Sequence, residues 1–209
     1  ENKIKLNNIY SNHEGIVING DNNFIYQNNI SQNDCGIEYN AWSSTNLCFL
    51  NTMKLNGGDA YLRNFPHYWN SSMQIEYIFN GSSFISELGN FWDGYVGSDN
   101  DNDGIGETSY ELNNICDDPA WFPYQRAWDY YPLISSSDDY SVVNYYPFQP
   151  SDPSPSDNGT GVGVDMLWGL CWSGRDLDPA DSVTYTVYFG TGSNPPLFPD
   201  REGPYLSDR

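Results

Sequence analysis

The sequence predicts an all-β protein: a parallel β-solenoid with a C-terminal cap over residues 1–134, a polar, proline-rich linker over 135–155, and a partial antiparallel β-sandwich over 156–209. Three observations carry this reading. The first part of the chain repeats with offsets of 21 and then 23 residues. Aromatic residues reach 16%, with 19 Gly, 13 Pro and abundant Asn, a composition that suits strands and tight turns better than helices. Beyond the repeat, apolar residues alternate with polar ones between turn signals, as in antiparallel strands.

The repeat sets the first element. Asn7 recurs as Asn28, Ile9 as Ile30, Asn12 as Asn33 and Gly15-Ile16 as Gly36-Ile37, each 21 residues on; Phe24 then maps to Leu47, Ile25 to Cys48 and Asn28 to Asn51 at 23. A period of this length in short β-branched or aromatic segments separated by Asn and Gly is the mark of a parallel solenoid whose coils bury their inward side chains on one another. Asn at the turns is expected to take left-handed backbone and to ladder with its neighbours. At most three coils are present. The N-terminal edge at Lys3-Ile4-Lys5-Leu6 would expose unpaired strands, so another chain or preceding sequence is expected to cover it.

From Ile75 to Ile85, alternation around Asn80-Gly81 predicts a hairpin. It leads through Leu88-Gly89-Asn90-Phe91-Trp92-Asp93 to the acidic stretch Asp99-Asn100-Asp101-Asn102-Asp103-Gly104-Ile105-Gly106-Glu107. Three carboxylates at alternate positions followed by glycine are the front half of a calcium loop: Asp99, Asp101 and Asp103 supply oxygens, Gly104 turns sharply, the Ile105 carbonyl closes in, and Glu107 falls at the ninth position. The twelfth position is Tyr110, so a distant carboxylate, among Asp117, Asp118 and Asp129, would complete the shell, with Asp129 taken as the ligand. Like charges packed this closely repel unless a cation holds them, which makes Ca2+ the expected cofactor. Spaced Ser and Pro residues then describe the linker. Val162 to Trp172 and Ser182 to Thr191 alternate as strands about the turn Asp176 to Asp181, but only about 60 residues remain where such a sandwich takes about 100.

Charge narrows the partners. Eight Lys+Arg against 28 Asp+Glu give a net charge of −20 and a pI near 4.1, which excludes nucleic acid and anionic membrane as natural partners. No apolar run of spanning length exists in the sequence, and the chain reads as a mature or excised piece. Cys35, Cys48, Cys116 and Cys171 lack the close pairing of a zinc site, which leaves free thiols or, preferred here, extracellular disulfides. Sequons at Asn29, Asn70, Asn80 and Asn158 permit glycosylation at an extracellular location.

The run Tyr68-Trp69-Asn70-Ser71, Tyr77-Ile78-Phe79-Asn80-Gly81, Leu88 to Asp93, Gly97 to Gly106 and Asp129-Tyr130-Tyr131-Pro132-Leu133 resembles the C-terminal portion of right-handed parallel β-helix repeat proteins. That family includes a copper-binding periplasmic type and, more similar here, large cell-surface proteins of methanogenic archaea. The resemblance covers about residues 5 to 135 and implies an extracellular right-handed β-helix closed by a calcium-bearing cap. The last segment is similar to part of an immunoglobulin-like or fibronectin-type surface module, completed by strands of a neighbour if at all.

Chemistry is thin against this background. Solenoid lyases need Ca2+ with a basic residue, and hydrolases need clustered carboxylates; Lys3, Lys5, Lys54 and Arg63 are scattered, and Asp21, Asp34 and Asp59 fall beside turns. His13 and His67 lie far apart in the chain, and Met53, Met73 and Met166 are too dispersed for a copper cluster. Trp42, Trp69, Tyr61 and Tyr68, or Trp168, Trp172, Tyr185 and Tyr188, could offer a sugar-binding platform, although core filling is the stronger reading. The expected function is a non-enzymatic, calcium-stabilised structural protein of a cell envelope, surface layer or extracellular filament, partnered by copies of itself or other surface proteins. A glycan-binding adhesin is the alternative, and a polysaccharide lyase-like enzyme the third.

Overall fold

The computed structural model describes residues 2–40, 43–62, 67–112, 126–156, 171–178 and 183–188, and among these it is almost entirely strand and turn. Two compact units divide the chain, Glu1–Asn144 and Tyr145–Arg209. Among the described residues no helix is long and apolar enough to cross a membrane.

In the first unit the chain coils. Coil 1 carries β1 (Lys3–Lys5), β2 (Asn8–Tyr10) and β3 (Glu14–Ile18); coil 2 carries β4 (Phe24–Tyr26), β5 (Asn29–Ser31) and β6 (Cys35–Tyr39); coil 3 carries β7 (Leu47–Phe49), β8 (Thr52–Lys54) and β9 (Gly58–Leu62). Each strand pairs in parallel with its counterpart one coil on, so β1, β4 and β7 make one sheet, β3, β6 and β9 another, and β2, β5 and β8 a third. The register is that of the sequence repeat: Ile9 opposite Ile30, Ile16 opposite Ile37, Ile25 opposite Cys48. Inward positions stack into one core of Ile16, Ile25, Ile30, Ile37, Met53 and Ala60, with Trp69 and Trp92 at its far end. At roughly 1.5–3 kcal/mol per fully buried large side chain, this column is the main source of stability.

The corners explain the coiling. Leu6, Ser11, Asn22, Gln27, Gln32, Thr45, Leu50 and Leu55 all have φ between 53° and 60°, and each directly precedes an asparagine of the repeat. The left-handed residue is therefore the one before the recurring Asn, not that Asn itself as the sequence suggests, and it turns the chain while the Asn side chain secures the corner. A non-glycine residue in this conformation costs about 1–3 kcal/mol. Just beyond the third corner the coils come close: at Gly36, in β6, a Cβ would lie 2.6 Å from the Asp59 carbonyl oxygen, which leaves no room for a side chain.

Beyond coil 3 the chain makes the hairpin β10 (Ile75–Phe79) and β11 (Ser82–Ser86), paired Phe79 with Ser82 around Asn80-Gly81 as expected. It then returns to the stack with β12 (Phe91–Trp92), which extends the third sheet on Thr52 and Met53. The short pair β13 (Tyr110–Glu111) and β14 (Trp128–Asp129) follows. A 3-10 turn at Ser137–Asp139 leads into β15 (Ser141–Tyr145), which lies beside β10. Ser137, placed at the start of the expected linker, is instead buried, its amide and hydroxyl both bonded to the Thr52 hydroxyl at 2.9 and 2.8 Å. A composition rich in serine conceals a specific partner of this kind.

In the second unit, β16 (Ser151–Ser154) pairs antiparallel with β17 (Cys171–Ser173). Arg175 lies over the Phe148 ring at 4.5 Å, Trp172 meets Tyr185 edge-on at 5.3 Å, and Leu177 is buried. β16 falls inside the expected linker, while Val183 to Val187, expected as a strand, are not one. The rest of the expected sandwich, residues 162–170 and 189–191, lies outside the described residues.

Candidate functional site

The corner asparagines fall five residues apart and build three ladders. Asn2 is bonded to Asn23 and Asn23 to Asn46; Asn12 to Asn33 and Asn33 to Asn56; and Asn7 to Asn28, Asn28 to Asn51, and Asn51 to Asn90. In every step the backbone N–H and the side-chain Nδ2 of one Asn donate to the Oδ1 of the Asn one coil on; in the middle ladder these distances run from 2.9 to 3.2 Å. The second hydrogen of Nδ2 goes to a carbonyl oxygen inside the corner, as from Asn51 to Ile25 and Phe49 at 2.8 and 3.0 Å. The buried amides of Asn28 and Asn51 are thereby saturated, which is what burial of a polar group requires. A ladder of this kind has a direction, with acceptors facing one end and donors the other.

The donor end closes on Asp129. Its Oδ2 accepts from Asn90 N at 2.6 Å, Trp92 Nε1 at 2.8 Å and Asn90 Nδ2 at 3.4 Å, and its Oδ1 accepts from Tyr131 N at 3.0 Å. The residue is wholly buried. Burial pushes its carboxyl up to about 7, against the donors from Trp92, Asn90 and Tyr131, which favour the charged form. A carboxylate receives two donors as an Asn Oδ1 does but has nothing to pass on, so it ends the ladder. Rings cover it: Trp69 against Trp92 at 5.7 Å, Trp92 stacked on Tyr110 at 5.2 Å, and Tyr110 bonded to Asp59 at 2.8 Å. Asp129 was expected as a ligand of the acidic loop; its oxygens are taken by these donors instead, while the segment after it meets the loop where Gly106 N donates to the Pro132 carbonyl at 2.8 Å.

The loop itself brings three of the expected residues together. One carboxylate oxygen from each of Asp99, Asp101 and Asp103 lies within 4.8 Å of the others. Their charge is met by the loop's own amides: Gly104 N donates to Asp99 Oδ2 at 3.0 Å, Asp103 N to Asp99 Oδ1 at 3.2 Å, Ile105 N to Asp103 Oδ1 at 2.7 Å, and Asn100 N to Glu107 Oε1 at 3.1 Å. Glu107 thus folds back over the loop's start, and Ile105 is buried, bridged to Leu133. Gly104 has φ +93°, and a Cβ there would strike Tyr140 and Phe79 at 2.7 and 2.9 Å. The Tyr140 hydroxyl donates to the Gly104 carbonyl and Tyr77 to that of Asp103 at 3.0 Å, docking the loop on the hairpin. Partial burial raises the Asp103 carboxyl, with Asp101, Asp99 and Glu107 adding to it and the Ile105 amide opposing. Asp117 and Asp118 lie outside the described residues.

The remaining sequence candidates separate. Asn29 and Asn80 are exposed, Asn80 at the hairpin tip; Asn70 Nδ2 donates to Glu87 at 2.7 Å; Asn158 lies outside the described residues. Trp69, proposed for a sugar platform, is buried at 1% exposure, and Trp42 and Trp168 lie outside the described residues. Cys35 is disulfide-bonded. Soft donors among the described residues are Cys48, Met53 and Met73, buried in the first unit, and Cys171, half-buried in the second, so they form no cluster. The Cys48 thiol, raised by burial and then by Asp129, sits between Asn51 Nδ2 at 3.3 Å and Asn90 Oδ1 at 3.7 Å. A neutral thiol occupied by a ladder is not an open thiolate ligand, and the acidic loop offers only hard oxygens, so the described residues do not fit a copper centre.

No curated protein and no solved structure matches the chain. The expected Ca2+ cofactor is corrected by the family that matches, which is described by a different metal. Residues 1–97 of the 209 match the family of the periplasmic copper-binding protein NosD, a parallel β-helix family, and that match covers coils 1 to 3 and the return to the stack at Trp92.

Proposed function

We propose that this chain is a non-catalytic structural protein working outside the cytoplasm, its coil stack a right-handed solenoid sealed at its C-terminal end. The observation that carries the reading is the middle asparagine ladder, buried from Asn28 through Asn51 to Asn90 and terminated by Asp129 beneath Trp92, which fills the stack with saturated hydrogen bonds. The periplasmic description of the family and the net charge of −20 support placement in the cell envelope or beyond it. In this reading the acidic loop is a staple that holds hairpin and lid together through Tyr77 and Tyr140, and the second unit is a partial immunoglobulin-like module that spaces the solenoid from its surroundings. Immunogold labelling of intact source cells tests it, with surface label expected and a purely cytoplasmic signal overturning it.

A second reading, copper handling, is favoured by the family description alone. Metal analysis of the purified chain after equilibration with Cu(I) and Cu(II) separates the two: the structural reading expects sub-stoichiometric copper, and one tightly held equivalent would replace it.

A further inference from the structure

We propose that Asn80 is the acceptor of an N-linked glycan on the folded chain, and that Asn29 and Asn70, which share its Asn-X-Ser pattern, are not. Attaching a sugar to asparagine is demanding chemistry. The amide nitrogen is a weak nucleophile because its lone pair is shared with the carbonyl, so a transferase has to enclose the side chain, turn it toward the donor and grip the hydroxyl two residues on. Nδ2 then bonds to the anomeric carbon of a glycan carried on a lipid phosphate. The bond from that carbon to the phosphate oxygen breaks with its electron pair going to the phosphate, and Nδ2 releases one proton. The whole tripeptide must therefore be free to enter a cleft, and the fold, not the sequence pattern, decides which tripeptide is.

At Asn80 that freedom is present. Asn80, Gly81, Ser82 and Ser83 are all exposed, at the tip of the hairpin β10–β11. Asn80 and Gly81 both hold left-handed backbone, with φ of 47° and 81°, so nucleophile and acceptor hydroxyl flank a tight turn. A Cβ added at Gly81 would meet nothing within 4 Å, which marks open space in the middle of the tripeptide. A bulky, hydrated glycan attached here displaces no packed side chain.

The other two fail for different reasons. Asn29 is exposed, but it sits in β5, a strand with β2 on one side and β8 on the other. It pairs with Asn8 and Thr52, its N–H donates to the Asn7 carbonyl at 2.9 Å, and Ile30 beside it is wholly buried. Presenting that tripeptide to a cleft means pulling a central strand out of the stack, an opening that draws on the stability of the core. At Asn70 the nucleophile itself is engaged, Nδ2 donating to Glu87 Oε2 at 2.7 Å and to the Ser71 carbonyl at 2.9 Å. Ser71 is buried, its hydroxyl donating to the Met73 carbonyl at 2.7 Å and accepting from Leu88 N at 3.0 Å, so the middle of this tripeptide is pinned.

The proposal goes beyond the structural reading and rests on it for placement in a compartment where glycans are transferred. The test is a peptide map by mass spectrometry of the full chain in two samples: recovered from source cells, and folded and purified without glycans, then incubated with an oligosaccharyltransferase and a lipid-linked oligosaccharide. The Asn80 peptide is expected to carry the glycan in both, at an occupancy about tenfold or more above Asn29 and Asn70, whose tripeptides need local opening first. Ser82→Ala, which leaves Asn80 and its turn in place, is expected to abolish transfer, and Ser82→Thr to keep it. Short synthetic peptides copying the Asn29 and Asn70 tripeptides are expected to be accepted, since outside the fold nothing restrains them. A bare Asn80 after incubation, comparable occupancy at Asn29 or Asn70, transfer that survives Ser82→Ala, or refusal of the short peptides overturns the proposal. Surface label on cells whose chain is bare at Asn80 sinks the glycan and leaves the location. Transfer to Asn80 in the purified chain with a purely cytoplasmic label does the reverse.

Discussion

The two ends of the coil stack are made from the same side chain and meet opposite fates. At the N-terminal edge Asn7 is exposed and donates into the stack; at the other end Asn90, fully buried, donates out of it to Asp129. An amide ladder can begin in water, where solvent serves its free acceptors, but its last donors cannot be left buried without an acceptor. The closed end therefore needs a residue that takes two hydrogen bonds and gives none, and it must be sealed from water by rings. The sharpest way to break the comparison is Asp129→Ala. It strands donors from Asn90, Trp92 and Tyr131 in the core, and about 3–5 kcal/mol of stability is expected to go, enough to unfold a marginal domain. Urea unfolding at pH 8 reads the loss, and a variant as stable as the parent would show that Asp129 terminates nothing.

Acidity probes the closed end without a mutation. Burial holds the Asp129 carboxyl at about 7 against an ordinary 3.8, so between these values the folded protein keeps a proton that the unfolded chain has released. Stability from this group is full below about pH 4, falls as pH rises toward 7, and levels above it, with a slope of no more than about 1.4 kcal/mol per pH unit. Asp103, also raised, acts in the same sense. Unfolding midpoints at pH 5, 6, 7 and 8 are expected to decline for the parent chain and to flatten for Asp129→Asn, which cannot titrate. A stability that instead rises with pH over this window would mean that the four donors outweigh burial.

A matched pair of truncations measures the ladder itself. Asn51 accepts two bonds from Asn28 and gives its own to Ile25, Phe49 and Asn90, all out of water, so Asn51→Ala is expected to cost about 2–3 kcal/mol. Asn7→Ala removes only the Nδ2 donor at the exposed edge, where water replaces it, while the backbone N–H keeps its bond to Asn28 Oδ1, and about 0.5–1 kcal/mol is expected. Equal losses in thermal melts would erase the difference between buried and exposed rungs of the ladder.

Much of the stack was legible because strand pairing preserves sequence spacing: the offsets of 21 and 23 became the pairings of Ile9 with Ile30 and Ile25 with Cys48. The hairpin was legible from Asn80-Gly81 for the same local reason, since a turn is decided by the residues that make it. Asp129 was misread because its partners, Asn90 and Trp92, are nearly forty residues away, and only folding reveals which carboxylate is buried. The acidic loop was read for its charge count; the amides that hydrogen-bond its carboxylates, Gly104 N and Ile105 N, carry no side-chain signature. The five-residue spacing of asparagines was in view as a signal for the ladders. The corners before them were not, since Leu6, Ser11, Gln27 and Thr45 share a conformation and no chemistry.

Those corners give the smallest and most exacting test, because they set backbone strain against burial. Leu55 and Leu50 hold nearly the same left-handed φ, 54° and 53°, yet Leu55 is 69% exposed and Leu50 wholly buried. Asparagine visits this region more readily than leucine, so Leu55→Asn relieves strain and gives up little apolar contact; a gain of up to about 1 kcal/mol is expected. At Leu50 the same relief is overwhelmed by removal of a core side chain worth about 1.5–3 kcal/mol, and Leu50→Asn is expected to destabilise. Opposite signs in the two melting shifts would establish that the coil corners are strained positions held by what surrounds them. A loss at Leu55 as well would mean that its exposed side chain makes contacts outweighing the strain, and the corner would have to be explained without it.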